Sequence, residues 1–479
     1  MKNKVVKIVV AVIVVALSTI CLFGCKQESE ARGELKVAYD VNLAVDVEQS
    51  KVYLKQKIFI ENHYDSEITS LKAYLYPNAY SVPANDAKGR EKQDLVTIGN
   101  VNCNGKNVSY SLEGILMTVN LNQSLTKGGQ LELNVGATMS VPNNKLRYGQ
   151  GEGIMNLAEC YLKLAYYDGS DFVTVDYIEL GDPFLSGLAD YKVKVEVPKG
   201  WDVAHSGEEV YREEGETLKI QAELKGARDF AIAVGDFNVY QAEVDGIKIK
   251  HYTRSDEDYT SLIGRYLTEF ISKIGDFPYK TLTVAELPFE YGGMEYCSYV
   301  VVNEKAQNKE EIIVHEMLHQ YFACAVGSNG FTESYLDESL VSFLTIYYMD
   351  IVKGGGYYHD EVKRAEKYYH TFLTASRAVY GEKYNPIMAK NLDEYKSLYE
   401  YDALVYKYGV MAYSGLLDIL GERKFNKAIK EYYDNNKGDI ATTSNLIDSF
   451  EKVGGRGVRG VIEAYLYGKT TFGVRLVGV

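Results

Sequence analysis

Residues 312–322 read I-I-V-H-E-M-L-H-Q-Y-F, and Tyr335-Leu336-Asp337-Glu338 follows on what reads as a second helix. His315, Glu316 and His319 form H-E-x-x-H, with eighteen residues between His319 and Glu338. On a helix, positions four apart share one face, so both imidazoles point at one ion. Glu316 lies beside that ion, where a general base for an attacking water belongs. Glu338 then completes three protein ligands to one Zn2+ per chain. A fourth position stays open for water or substrate, which separates a catalytic zinc from a structural one.

A lone H-E-x-x-H arises by chance, and buried histidines are often core residues with satisfied hydrogen bonds. Here the whole chain has only seven histidines in 479 residues, so two at this spacing carry weight. The flanks also read as helix. Asn308 is placed as an N-cap, and Glu310 and Glu311 fall in the first turn, where the macrodipole favours acids. Ile312, Ile313, Met317, Leu318, Tyr321 and Phe322 recur at helical spacing.

The N-terminus reads as a targeting segment. Lys2, Lys4 and Lys7 precede an apolar run from Ile8 to Phe23, and Leu22-Phe23-Gly24-Cys25 resembles a bacterial lipobox. The expectation is a signal peptide over 1–24, lipidation at Cys25 and a polar tether over 25–33. The protein is then a membrane-anchored lipoprotein outside the cytoplasm; the alternative is a plain membrane anchor. Cleavage removes three lysines and leaves 49 basic against 66 acidic side chains, a net charge of −17. No basic run is present, which argues against a nucleic-acid partner. Cys103, Cys160, Cys297 and Cys324 show no C-x-x-C spacing and no disulfide framework.

Residues 34–247 read as a large antiparallel β domain. Val52, Leu54, Ile58 and Ile60 share one face of an extended chain, as do Leu131, Leu133 and Val135, and Tyr191, Val193, Val195 and Val197. The period changes near 248. Leu262 to Ile274 fits an amphipathic helix, Thr281–Leu287 and Tyr299–Val302 read as strands, and helices follow at about 335–351, 360–380, 404–420, 424–435 and 457–466. A small sheet followed by many helices makes 248–479 an α+β domain.

These motifs together resemble the aminopeptidase N family of zinc peptidases, gluzincins that include leukotriene hydrolase. The eighteen-residue gap matches that family, whereas thermolysin-like enzymes have one more residue. Tyr335-Leu336-Asp337-Glu338 resembles its W-L-N-E segment, and Tyr291-Gly292-Gly293-Met294-Glu295 its G-[AG]-M-E-N motif. Leu75-Tyr76-Pro77-Asn78 and Gly181-Asp182-Pro183-Phe184 resemble stretches in the β domain of short bacterial members. The resemblance implies a β-sandwich-like domain followed by a thermolysin-like α+β zinc peptidase domain. It implies that Glu295 binds the substrate's free α-amine, and that Gly292, Gly293 and Met294 bind a peptide approaching as an added strand. It implies that Tyr406, in Tyr406-Lys407-Tyr408-Gly409, donates to the developing oxyanion. With 42 tyrosines in the chain, Tyr401, Tyr408 and Tyr413 compete for that assignment.

The chain departs from the family in places. Tyr296 stands where the family has Asn, Ser339 where it has Gly, and Tyr408 where it has Lys. Only about 140 residues follow Glu338, so the C-terminal helical domains of long members are not expected. The resulting expectation is a zinc aminopeptidase acting on peptides. Its rivals are a zinc endopeptidase or oligopeptidase, and an inactive surface-binding lipoprotein on the same scaffold. The oligomeric state is not legible.

Overall fold

The computed structural model describes residues 34–81 and 94–469. The signal segment 1–24, Cys25 and the tether to residue 33 lie outside the described residues. The first half is built on an eight-stranded sheet. In spatial order its strands are Glu208–Glu214, Thr217–Ala227, Ala189–Pro198, Leu35–Asp46, Lys51–Asn62, Gln130–Ser140, Val96–Cys103 and Lys106–Asn107. Alternation sets the register. Leu43 faces Leu54 across one pair, and Leu54 faces Ala137 across the next. Val52, Leu54, Ile58 and Ile60 are all buried, as their period of two requires.

Gln56 falls on this same buried face. Its amide is satisfied by the backbone of Leu162, donating to the carbonyl at 2.8 Å and accepting from the N–H at 2.9 Å. That exchange, and a bond from Leu164 N–H to the Tyr39 hydroxyl at 3.0 Å, joins the large sheet to a four-stranded sheet. The order there is Lys163–Leu164, Ile68–Tyr74, Leu116–Leu125 and Tyr110–Glu113. The sandwich-like expectation holds with one difference. Leu35–Asp46 and Ala189–Pro198 pair in parallel, with Ala38 opposite Asp190. A parallel neighbour needs a long crossover, and most of the β half intervenes between the two strands.

A five-stranded mixed sheet opens the second half. Its order is Asn238–Val244, Ile247–Thr253, Thr281–Leu287, Tyr299–Asn303 and Gly293–Tyr296. It therefore starts at Asn238, upstream of the boundary expected at 247/248. Its three parallel strands are covered, and every residue of Thr281–Leu287 is buried. Gly293–Tyr296 is the outer strand, paired among the described residues only with Tyr299–Asn303. The motif helix, Lys309–His319, packs across the strands at this edge, and the long helix Tyr335–Lys353 packs against the motif helix.

Helices Tyr357–Tyr380, Gly409–Leu420, Glu422–Asn436, Thr443–Gly454 and Arg456–Leu466 complete the half. The helix expected at 404–420 is two pieces: Asp402–Tyr408 is a π-helical turn that runs into Gly409–Leu420. The helix Thr443–Gly454 was not anticipated. One continuous set of buried side chains runs from the β sandwich through to the last helix.

Candidate active site

The motif helix starts without the expected side-chain cap. Asn308 is in place, but its amide makes no capping bond; the Asn308 carbonyl closes the first turn by accepting from Ile312 N–H at 3.2 Å. The two first-turn acids turn outward to partners instead. Glu310 accepts from the Tyr266 hydroxyl at 2.7 Å and pairs with Lys353, and Glu311 accepts from Tyr357. The helix ends at the second histidine, so the whole motif lies in its last two turns.

His315, His319 and Glu338 converge. The two Nε2 atoms are 3.1 Å apart, and each is 3.4 Å from Glu338 Oε2. Zinc ligands at about 2.0–2.2 Å in tetrahedral array stand about 3.3–3.5 Å from one another, so these three atoms have the spacing of a zinc site. Glu338 is 5% exposed, and its Oε2 has no hydrogen-bond donor. A buried carboxylate oxygen in that condition calls for a cation. The outer nitrogens are held too: His319 Nδ1 is 3.0 Å from the Phe322 carbonyl, and His315 Nδ1 is 3.4 Å from Thr345 Oγ1. Such partners fix ring orientation and tautomer in metal sites.

Glu316 is buried on the side of the outer strand. A Cβ built on Gly293 would lie 2.5 Å from Glu316 Oε1 and 2.7 Å from Ile312 Cγ2, whereas one on Gly292 would meet nothing nearer than 3.6 Å. Gly293 therefore gives Glu316 its space, and Gly292 does not share that role. Gly293→Ala is expected to lower kcat/KM about tenfold, from roughly 1–3 kcal/mol of overpacking against the base. Gly292→Ala leaves Glu316 its space, so its kcat should stay within about twofold of wild type and any loss should fall on KM. Steady-state kinetics on both variants checks the contrast, and equal losses would contradict it.

Side chains alternate along the outer strand. Gly293 and Glu295 face the motif helix, and Met294 and Tyr296 turn into the interior. Met294 is 4% exposed, and its sulfur accepts from Arg147 Nε at 3.2 Å. That burial leaves only the backbone of Met294 for a peptide to meet. Tyr296 is buried in an apolar cluster with Ile154, Phe289 and Tyr299, because the strand's period points it away from the metal ligands. Gln320, which follows the second histidine, braces the hairpin: it donates to the Tyr296 carbonyl at 3.0 Å and accepts from Ser298 N–H at 2.7 Å.

The β half supplies residues that the sequence reading did not assign to the site. Asp182 has a carboxylate oxygen within 4.8 Å of those of Glu295 and Glu338. It pairs with Arg147, whose guanidinium lies 5.4 Å from the Phe184 ring centre and 5.3 Å from that of Tyr291. The Gly181-Asp182-Pro183-Phe184 stretch had been singled out, and its acid was the available signal. A cavity of about 70 Å³ beside Glu295 is lined by Glu159, Asp182, Tyr296 and Asp337, among others. Larger clefts on the β sheets contain none of the motif residues.

Four carboxylates thus crowd two imidazoles, and their proton affinities reflect it. Burial pushes the Glu316 carboxyl up to about 8. Burial, then repulsion from Asp182, Glu316 and Glu338, raises Glu295 well above the carboxylate range. Burial works against ionisation of Glu338 as well, but the adjacent imidazoles outweigh it and hold that carboxyl well down. His319 is raised despite burial, because Glu295, Glu338 and Glu316 surround it. The site draws positive charge, as a donor set built for a divalent cation should.

Tyr406 stands over the other wall. Its ring centre is 6.3 Å from that of His315 and 5.7 Å from that of Tyr401, nearly perpendicular to the latter. Tyr408 and Tyr413 are buried elsewhere, tilted against Tyr369 and Phe343 respectively. Cys103, Cys160, Cys297 and Cys324 are free and buried; the Cys297 sulfur accepts from Arg228 N–H at 3.3 Å.

A two-histidine, one-glutamate cation site with a spare buried glutamate is thus set at the open edge of a mixed sheet. Residues 267–465 match the model of the Peptidase family M1 domain. The second half of the chain is thus similar to a family of zinc peptidases, and zinc is the cofactor its donor set fits. Over 261 residues, 49% of the chain, it is 24% identical to Aminopeptidase 2 of Candida albicans, covering 27% of that protein. Over 308 residues, 58% of the chain, it is 21% identical to Aminopeptidase N of Streptomyces lividans, covering 35% of it. The match thus spans about a third or less of these curated relatives. The fold is shared with an M1 zinc metallopeptidase from Deinococcus radiodurans, with a TM-score of 0.69 at 16% identity over 92% of this chain and 95% of that one. An E323A mutant of the Deinococcus protein has been solved with a Tyr-Ser-Ala substrate.

Proposed function

We propose that the protein is a zinc-dependent aminopeptidase that removes N-terminal residues from peptides outside the cytoplasm. The observation that carries this reading is Glu295, a carboxylate within 4.8 Å of both Glu338 and Asp182 that, among the described residues, forms no ion pair with a lysine or arginine. A free α-ammonium is the group that such a site stabilises. His315, His319 and Glu338 would hold the zinc. When bound, zinc supplies Lewis acidity at its open position, worth several kcal/mol to oxygen charge that develops there.

The chain's own groups divide the remaining work. The outer strand offers its unpaired edge to an extended peptide, and Gly292 and Gly293 let the backbone come close. Glu295 and Asp182 receive the ammonium and so count one residue from the chain end. Glu316 takes a proton from the attacking water at a carboxylate oxygen and delivers it to the leaving amine. Tyr406 donates its phenol hydrogen to the carbonyl oxygen as charge builds there.

Matched peptides with free and acetylated N-termini test the reading. Acetylation is expected to lower kcat/KM about 10- to 100-fold, the value of a charge-assisted bond of roughly 1.5–3 kcal/mol. Glu295→Gln should shrink that ratio. Equal cleavage of both peptides at internal bonds would replace the aminopeptidase with an endopeptidase, and no turnover on any peptide would favour a binding lipoprotein. The extracytoplasmic placement is part of the proposal and is supported by Lys2, Lys4, Lys7 and the Leu22–Cys25 lipobox. Labelled fatty acid should enter the wild-type chain in bacterial cells and be absent from Cys25→Ser.

A further inference from the structure

The residue that follows the Glu338 ligand is a serine where the family resemblance leads one to expect glycine. Ser339 is 1% exposed, and its hydroxyl does not simply fill space. It donates to the carbonyl of Val405 at 2.6 Å, across two helices. Val405 immediately precedes Tyr406, within the π-helical turn Asp402–Tyr408. Four residues beyond Val405 the same helix touches Ser339 again: a Cβ on Gly409 would fall 2.5 Å from both Ser339 Oγ and Ser339 Cβ. The serine is therefore wedged between a carbonyl on one turn and a bare Cα on the next.

A π turn is a rare, single-turn departure from the α-helix, and it needs support from its surroundings. Among the described residues, the Tyr406 hydroxyl makes no hydrogen bond of its own. Its position is set by ring contacts with His315 and Tyr401 and by the backbone that carries it. We propose that Ser339 is a positioning residue: through the Val405 carbonyl it holds the π turn in register, so that the Tyr406 phenol faces the open side of the metal-ligand cluster. Because Ser339 is the chain neighbour of Glu338, a single helical turn then fixes both a metal ligand and the oxyanion donor. This inference rests on the catalytic role given to Tyr406 above.

The test is a double-mutant cycle on the zinc-loaded protein with Ser339→Ala, Tyr406→Phe and the pair, read by steady-state kinetics and by hydrogen exchange. One buried hydrogen bond corresponds to about a 3- to 10-fold change. Ser339→Ala is expected to lower kcat by that factor, with KM and zinc content unchanged. In the Tyr406→Phe background the same substitution should cost nothing further. Amides of 403–409 should exchange faster in Ser339→Ala, while those of 312–319 stay as in wild type. An equal loss in both backgrounds would mean that Ser339 does not act through Tyr406. Unchanged exchange over 403–409 would overturn the positioning role even if wild type turned over no peptide, an outcome that would by itself remove only the aminopeptidase reading.

Discussion

Glu316→Gln is expected to lower kcat by about a hundred- to ten-thousandfold, the range found when a positioned general base is lost, with zinc still bound at one per chain. The amide keeps the volume of the carboxylate, so it fits the space that Gly293 leaves against the outer strand. It cannot accept the water's proton, because the oxygen of an amide is far less basic than that of a carboxylate. His315, His319 and Glu338 are untouched, and their 3.1–3.4 Å spacing has no contact to lose. Kinetics paired with elemental analysis for zinc checks both halves of the expectation. Loss of zinc along with activity would move Glu316 from base to structural support. Wild-type turnover in the variant would leave the buried acid at the outer strand without its assigned part. Peptide affinity should change little, since the proposed function assigns binding to Glu295 and the strand edge.

How far the sequence carried this site depends on how local each interaction is. The i, i+4 histidines are legible because a helix alone puts them together, and Glu338 because the next helix packs on the first. Glu295 follows from strand alternation once Gly293 is seen to face the motif helix. Asp182 and Arg147 are different in kind. They arrive from the β half by tertiary packing more than a hundred residues upstream, and no period in the sequence points from one to the other. The π turn was hidden for a subtler reason: inserting one residue into a helix leaves Leu404, Val405 and Val410 apolar at spacings that an unbroken α-helix also satisfies. The helix Thr443–Gly454 had signals that went unused. Thr442 and Asn445 form a reciprocal capping box, and Leu446, Ile447 and Phe450 lie on its buried face. The Thr-Thr-Ser-Asn run that makes the cap looks, in composition, like a loop. Asn308 is the N-cap as its residue type suggests, although the first turn closes through its backbone carbonyl and not through its side chain.

Arg228→Met should be the most destabilising single change outside the metal site. The guanidinium is buried and has no carboxylate partner among the described residues. It is spent wholly on backbone carbonyls: Nε on Cys324 at 2.9 Å, Nη1 on Ser186 at 2.8 Å, and Nη2 on Asp439 at 2.7 Å and Ala325 at 3.4 Å. Those carbonyls belong to three segments distant in sequence. Ser186 lies just beyond Asp182, Cys324 and Ala325 follow the motif helix, and Asp439 precedes the helix Thr443–Gly454. Methionine fills most of the volume and donates nothing, so the Cys324 and Ser186 carbonyls lose their donor at about 1–3 kcal/mol each, while those of Ala325 and Asp439 lose one of two bonds and keep those from Gly438 and Gly327 N–H. With partial relaxation toward water, a total of roughly 3–5 kcal/mol is expected, as for other losses from a buried charged network. Arg228→Lys keeps the charge but reaches at most one or two of the carbonyls, so it should fall between. Gly327 would not accommodate a rearranged fork, because even its missing Cβ would lie 2.4 Å from the guanidinium carbon. Calorimetry and urea unfolding measure the loss, and a change under about 1 kcal/mol, the scale of an ordinary surface substitution, would show that these bonds are replaced by solvent. The same staple joins the Asp182 loop to the turn after His319. A folded remnant of Arg228→Met should therefore bind free-amine peptides more weakly, raising KM before kcat falls, because the loop that brings Asp182 to Glu295 has lost its tie to the metal-binding helix.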